Sequence, residues 1–217
     1  MKYLIVANGP FLAKAIIQEA AENACIIALD GAANKLVHLG IRPNIILGDF
    51  DSFQEEFDIF NGIKKVLVSD QNFTDLQKAI KFAMKDATSI HIVCALGGRL
   101  DHEQANIRTL QSEYSASCPI YLHNDYQTMT FVRNQTILIA GNHHDYCGLF
   151  GMPKATMTVK NAGLEYGGEK PFFLSMSNFS VSNRLIGNQG AIVEIVGDAL
   201  IVNPPMLVAQ RSALKNI

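Results

Sequence analysis

The chain has 217 residues, 48% hydrophobic and 18% charged. That excludes a disordered chain and leaves room for one large domain or two small ones with a real core. Eighteen Lys and Arg against 20 Asp and Glu leave a formal net charge of −2, so bulk electrostatics give no reason to bind nucleic acid or an anionic membrane, and no stretch is apolar for long enough to span a bilayer.

The first half alternates between strand and helix patterns. "KYLIVA" (2–7) reads as a strand ended by Asn8-Gly9-Pro10, which breaks the apolar run too early for a leader peptide. "GPFLAKAIIQEAAENA" follows with apolar residues at three-to-four spacing, a helix. "CIIALD" (25–30) is a second strand, "GAANKLVHLG" (31–40) a second helix stopped at Gly40, and "RPNIILGD" (42–49) a third strand. "KKVLVS" (64–69) is a fourth strand, followed by a helix from Thr74 to Ala87. "SIHIVCAL" (89–96) is a fifth strand, "LDHEQANIRTLQSEYSA" (100–116) a helix, and "PIYLHN" (119–124) a sixth strand. Continuous apolar strands between amphipathic helices predict a mostly parallel sheet covered on both faces, an α/β domain.

Beyond Asp125 the texture changes. "QTMTFVRNQTILIAG", "ATMTVKNAGLEY", "PFFLSMSNFSVSN" and "QGAIVEIVGDALIVN" carry β-branched residues, short alternations and Gly or Asn turns. They predict an antiparallel β domain without a long helix. The boundary falls between 123 and 130, giving domains 1–125 and 126–217. Cys25, Cys94, Cys118 and Cys147 form no CxxC pair and read as reduced thiols of a cytoplasmic protein. His143-His144-Asp145 with Cys147 matches no zinc-ligand spacing and reads as a polar loop.

Ligands of open parallel sheets sit outside the carboxyl ends of the strands. Four strand ends here carry acids: Asp30, then Asp49 and Asp51 in "GDFDS", then Asp70 and Asp75 in "DQNFTD", and Asp101 after Gly97-Gly98-Arg99. Singly, each has a simpler explanation, such as a turn or a helix N-terminus. Gathered at one edge, these carboxylates need a cation. Oxygen ligands select magnesium or calcium, and magnesium also takes substrate phosphates. Arg99 then suits a phosphate through its planar fork, and the N–H groups of Gly97 and Gly98 suit the same anion. The pattern suggests phosphoryl or pyrophosphoryl transfer from a nucleotide, without a P-loop or G-x-G-x-x-G turn. Two alternatives stand beside it: a metal-dependent nucleotidyl- or glycosyltransferase clamping its metal with Asp49-x-Asp51, and a non-catalytic binding module.

The ordered blocks "DGAANKL" (30–36), "GDFDS" (48–52), "DQNFTDLQKA" (70–79) and "GGRLDHEQANI" (97–107), with the weaker "GLEY" (163–166) and "SMSN" (175–178), resemble thiamine pyrophosphokinases. That resemblance implies transfer of pyrophosphate from ATP to the hydroxyethyl group of thiamine, giving thiamine diphosphate and AMP. It implies an α/β nucleotide domain, a C-terminal β-sandwich, and a homodimer with active sites at the subunit interface. Carried over residue by residue, Asp49, Asp51 and Asp75 would hold magnesium on the ATP phosphates. Asp30, Thr74, Gly97, Gly98 and Arg99 would bind ATP, and Asp101 would complete the catalytic acids. Gln71, Ser177 and Asn178 would contact thiamine. Either Asp75 or Asp101 would serve as general base. The serine–asparagine pair departs from the family pattern: Ser175-Met176 precedes it in place of Gly-Thr, and Phe179 follows in place of an acid.

Overall fold

The computed structural model describes residues 1–50, 60–68, 70 and 72–214. Two compact units follow one another, Met1–Asp125 and Tyr126–Ile217.

In the first unit six strands, β1 (Lys2–Val6), β2 (Ala24–Leu29), β3 (Ile45–Gly48), β4 (Lys64–Leu67), β5 (Ser89–Val93) and β6 (Ile120–His123), run parallel in the order β6-β5-β1-β2-β3-β4. Leu4, Ile5, Ile27, Ile46, Leu47, Ile90 and Ile92 are buried on both faces, which is why these strands read as unbroken apolar runs. The edge strand β4 is mostly exposed, and Lys64 and Lys65 lie on it, a composition that discourages further pairing. Helices α1 (Lys14–Ala21) and α2 (Ala32–His38) pack against the β1–β2 region, and α3 (Asp75–Ala83) against β1, β2 and β3. Helix α4 (Leu100–Ser112) follows β5.

All four expected helices form, each shorter than its apolar pattern. Helix α1 starts after Ala13 with no side-chain cap, held by the burial of Ile16, Ile17 and Ala20. Its end is enforced by Asn23, whose φ of 56° leaves helical geometry. Helix α3 has a full capping box: Thr74 Oγ1 accepts from the Gln77 N–H and Gln77 Oε1 accepts from the Thr74 N–H, both at 3.2 Å.

β5 and β6 bring two histidines together on the sheet. Nδ1 of His91 lies 2.9 Å from Nε2 of His123 and the rings stack at 5.2 Å. Burial pushes His91 down to about 4 and His123 down to about 3, so both are neutral near pH 7.

The second unit is antiparallel: β7 (Thr128–Ile139), β8 (Tyr146–Val159), β9 (Phe172–Ser175), β10 (Ser180–Arg184) and β11 (Ala191–Asn203), with a short helix α5 (Val208–Leu214) that sequence patterning did not reveal. β11 lies between β7 and β8, while β9 and β10 pair with opposite halves of β8. Register shifts between Ile195 and Asp198 divide the long strands into two halves. One apolar cluster joins both halves, with Val132, Leu149 and Ile201 from one and Ile139, Met157 and Val193 from the other. One hydrogen-bonded sheet carries both halves, with an irregularity in the ladder between them. The start of β8, "YCGLFGMP", was not expected as strand, because Gly148, Gly151 and Pro153 interrupt its apolar pattern.

Candidate functional site

The sheet order changes direction between β1 and β5: the chain proceeds from β1 towards β4 on one side and returns to β5 on the other. Loops leaving two such strands part in opposite directions and open a crevice at their carboxyl ends. A cleft of about 740 Å³ lies there, entirely within the first unit. Asn8, Gly9 and Pro10 line it after β1, Asp30 after β2, Asp49 after β3, and Cys94 and Ala95 after β5. Phe73, Thr74 and Asp75 enter from the start of α3, and Gly98, Arg99, His102, Glu103 and Asn106 from the start of α4.

The edge is built under strain. Three non-glycine residues following the strands adopt positive φ: Asp30 at 42°, Phe50 at 66° and Cys94 at 61°. Each costs on the order of 1–3 kcal/mol, and such conformers gather where a site needs side chains aimed off the strand direction. Two glycines allow the close approaches. A Cβ on Gly9 would stand 2.4 Å from the Cys94 carbonyl, to which the Gly9 N–H donates at 3.0 Å, and a Cβ on Gly48 would stand 3.0 Å from the Asp30 Cβ.

Of the acids expected here, Asp30, Asp49 and Asp75 share the cleft. Asp30 is 6% exposed. Asp51 and Gln71 lie outside the described residues. Asp101 stands in the first turn of α4 and does not line the cleft; its carboxylate takes a two-point contact from Arg99, Nε to Oδ1 at 3.1 Å and Nη2 to Oδ2 at 2.6 Å. The Arg99 hydrogen bonds hold the Asp101 carboxyl down to about 2, and Asp101 in turn raises Arg99. Gly98 and Arg99 line the cleft, but the Gly97 N–H donates to Glu103 Oε1 at 2.6 Å. Two of the donors expected to meet an anion, the Gly97 N–H and Arg99, are thus met by carboxylates of α4. Thr74 lines the cleft as the cap of α3.

Sequence reading missed two cations. Lys78 is 8% exposed, and its ammonium stands 3.0 Å from Asp75 Oδ1 and 3.3 Å from the Val68 carbonyl. Lys35 donates to the Asn8 and Gly9 carbonyls, each at 3.1 Å. Both line the cleft. The available signal for Lys78 was its i+3 spacing from Asp75 on one helix face. Cys94 adds no soft ligand, because burial pushes its thiol up to about 11.

Ser177 and Asn178 belong to the second unit, in the turn between β9 and β10. Asn178 Nδ2 donates to the Phe173 carbonyl at 2.6 Å and the Ser175 N–H donates to the Asn178 carbonyl at 2.7 Å, so Asn178 closes its own turn. Phe173, Met176, Phe179 and Val181 around this turn are exposed.

The donor set suits a hard divalent cation. Among the described residues no three His, Cys, Asp or Glu side chains are spaced to share one ion. Magnesium does not require that, since it takes one or two carboxylates and completes its shell with water and phosphate oxygens. The three cleft aspartates, Asp30, Asp49 and Asp75, with no ionised thiol beside them, fit that chemistry.

A family model for the thiamin pyrophosphokinase catalytic domain matches residues 17–122. A thiamin pyrophosphokinase from Caenorhabditis elegans is 26% identical over 176 residues, covering 75% of this chain and 72% of the relative. One from Oryza sativa is 28% identical over 180 residues, and this chain spans 65% of its length. Another from Arabidopsis thaliana is 30% identical over 167 residues, with 66% of this chain and 61% of the relative covered. Among solved structures, a thiamine pyrophosphokinase from Bacillus subtilis superposes with a TM-score of 0.80 at 22% identity, covering 95% of this chain and 100% of that one. At that identity the superposition speaks for the fold.

Proposed function

We propose, from the match of its α/β unit to the thiamin pyrophosphokinase catalytic-domain model, that the chain is a member of that family and transfers the pyrophosphoryl group of ATP to thiamine, yielding thiamine diphosphate and AMP. The observation that carries the reading is the meeting of Asp30, Asp49 and Asp75 with Lys35, Lys78 and Arg99 around one cleft at the switch point of the sheet. Acids alone would repel a polyphosphate. Acids interleaved with fixed cations form a site for a polyphosphate and its counter-ion together.

Asp49 and Asp75, with Asp51, would hold magnesium, which when bound offsets phosphate charge. The protein's own part is positioning. Lys78 keeps the Asp75 carboxylate turned towards the cleft. Lys35 fastens the loop after β1 and presents its ammonium to the anion. Arg99 exchanges Asp101 for a phosphate when nucleotide enters, and Asp101 holds the guanidinium in place until then. Of the two candidate bases, Asp75 lines the cleft and Asp101 does not, so Asp75 is the better placed.

The second unit supplies the thiamine face, through Ser177 and Asn178 and the exposed aromatics beside them, because thiamine is a cation that aromatic faces attract. We place the working form as a cytoplasmic homodimer in which each cleft is completed by the partner. Four free cysteines accord with a reducing compartment.

The test is AMP formation from ATP and magnesium, with and without thiamine, with the organic product identified by mass. Thiamine-dependent AMP with thiamine diphosphate supports the reading. Turnover of a nucleotide sugar instead, or ligand binding without AMP, overturns it.

A further inference from the structure

Phe73 lines the cleft, is 39% exposed, and has the Lys81 ammonium 3.1 Å from its ring centroid. Lys81 itself does not line the cleft. The ring's backbone is fixed on both sides. Before it, Asp70 Oδ1 accepts from the Asn72 N–H at 2.9 Å and from Asn72 Nδ2 at 2.9 Å. After it, Thr74 closes the capping box of α3. Lys81 lies on that same helix. An aromatic side chain held this firmly at the wall of a polar cleft has more order than a solvated loop residue needs.

We infer that Phe73 is the stacking platform for the purine base of the nucleotide substrate, with Lys81 braced against the ring. This rests on the nucleotide reading of the cleft. The choice between the two substrates follows from charge. Thiamine carries a permanent positive charge on its thiazolium ring. A ring already engaged by the Lys81 ammonium has spent its attraction for cations, and a thiazolium stacked there would also meet like charge across the ring. Adenine is neutral and electron-rich, and it loses nothing by the presence of a cation behind its platform. Stacking of this kind is tolerant of base identity, so the site would select a nucleobase over none rather than adenine over guanine.

The experiment compares ATP with inorganic tripolyphosphate, which has the phosphates and no base. Binding of each, with magnesium, is measured by calorimetry for the wild type, Phe73→Ala and Phe73→Trp. The expected result is an ATP Kd raised about 10-fold or more in Phe73→Ala, a tripolyphosphate Kd unchanged, and ATP affinity kept in Phe73→Trp. Unchanged ATP affinity in Phe73→Ala overturns the inference alone. Equal losses for ATP and tripolyphosphate also overturn it, because the residue would then act on the loop and not on the base. Weakened thiamine binding with ATP unaffected assigns the ring to the other substrate and overturns it too. A wild type that binds neither ATP nor tripolyphosphate overturns the nucleotide reading and this inference with it.

Discussion

The Lys78 ammonium is buried, yet its partner, the Asp75 carboxylate, faces the cleft 3.0 Å away. The pair spans the boundary between core and site: one end is anchored in packing and the other is offered to ligand. Its value is directional, since a half-exposed carboxylate alone would be hydrated and free to turn.

Lys78→Met keeps the buried stem and removes the charge. Stability measured by urea unfolding is expected to change by no more than about 1 kcal/mol, because Asp75 reaches water and the desolvation cost of the lysine disappears. The value of kcat/KM is expected to fall about 10-fold or more as Asp75 loses its orientation. A large loss of stability with full specific activity in the folded fraction would show that the lysine serves the core alone.

Asp49→Asn is isosteric and lies on exposed chain at the end of β3. The thermal midpoint should stay within a degree or two of wild type, while turnover drops by about 100-fold or more, the scale for losing one charge-stabilising group in an active site. Raising magnesium should recover part of the loss. Full activity in this variant would remove Asp49 from the site.

The histidine pair makes the first unit acid-sensitive. Both groups are neutral when folded and titrate near the ordinary value of 6.5 when unfolded, so unfolding takes up protons as pH falls below that value. Stability is full above pH 6.5 and falls towards pH 4, by up to about 1.4 kcal/mol per pH unit for each histidine. His91→Gln should lessen this slope in urea unfolding measured from pH 7.5 to 4.5. An unchanged slope would mean that the pair is charged or solvated in the folded state.

Mixing two inactive variants tests the dimeric site. Asp49→Asn is aimed at the cleft and Ser177→Trp at the proposed thiamine face. If each working site takes one part from each subunit, a refolded equimolar mixture recovers about one quarter of wild-type activity, from one intact site in half of the dimers. No recovery, from a mixture shown to exchange subunits, would put both parts on one chain, and full activity of Ser177→Trp by itself would take the β9–β10 turn out of the site.

The sheet, its helices and the acids after its strands were readable because a doubly covered parallel sheet leaves no polar alternation to confuse the pattern. Asp30 and Asp49 stood out for the same reason, as charges ending apolar runs, and Asp75 by its place in the polar block that follows β4. Lys35 and Lys78 did not, because a single lysine on an amphipathic helix looks like solvent-facing polarity until the helix is docked. The contact between Gly97 and Glu103 was hidden similarly. It depends on how α4 leaves β5, a matter of backbone direction that residue types do not carry. In the second unit, Gly148, Gly151 and Pro153 disguised a strand of 14 residues, since the register shift where β8 meets β11 is itself a break in pattern.

The left-handed backbone at Asp30, Phe50 and Cys94 has a consequence for anyone who tries to improve this protein. Glycine at Cys94 would relieve a disfavoured conformation, and a screen for heat resistance has every reason to choose it. It would also loosen the stretch against which Gly9 is braced. Thermal hardening and catalytic proficiency thus compete at the rim of the cleft, and variants selected for the first without an activity screen will drift away from the second.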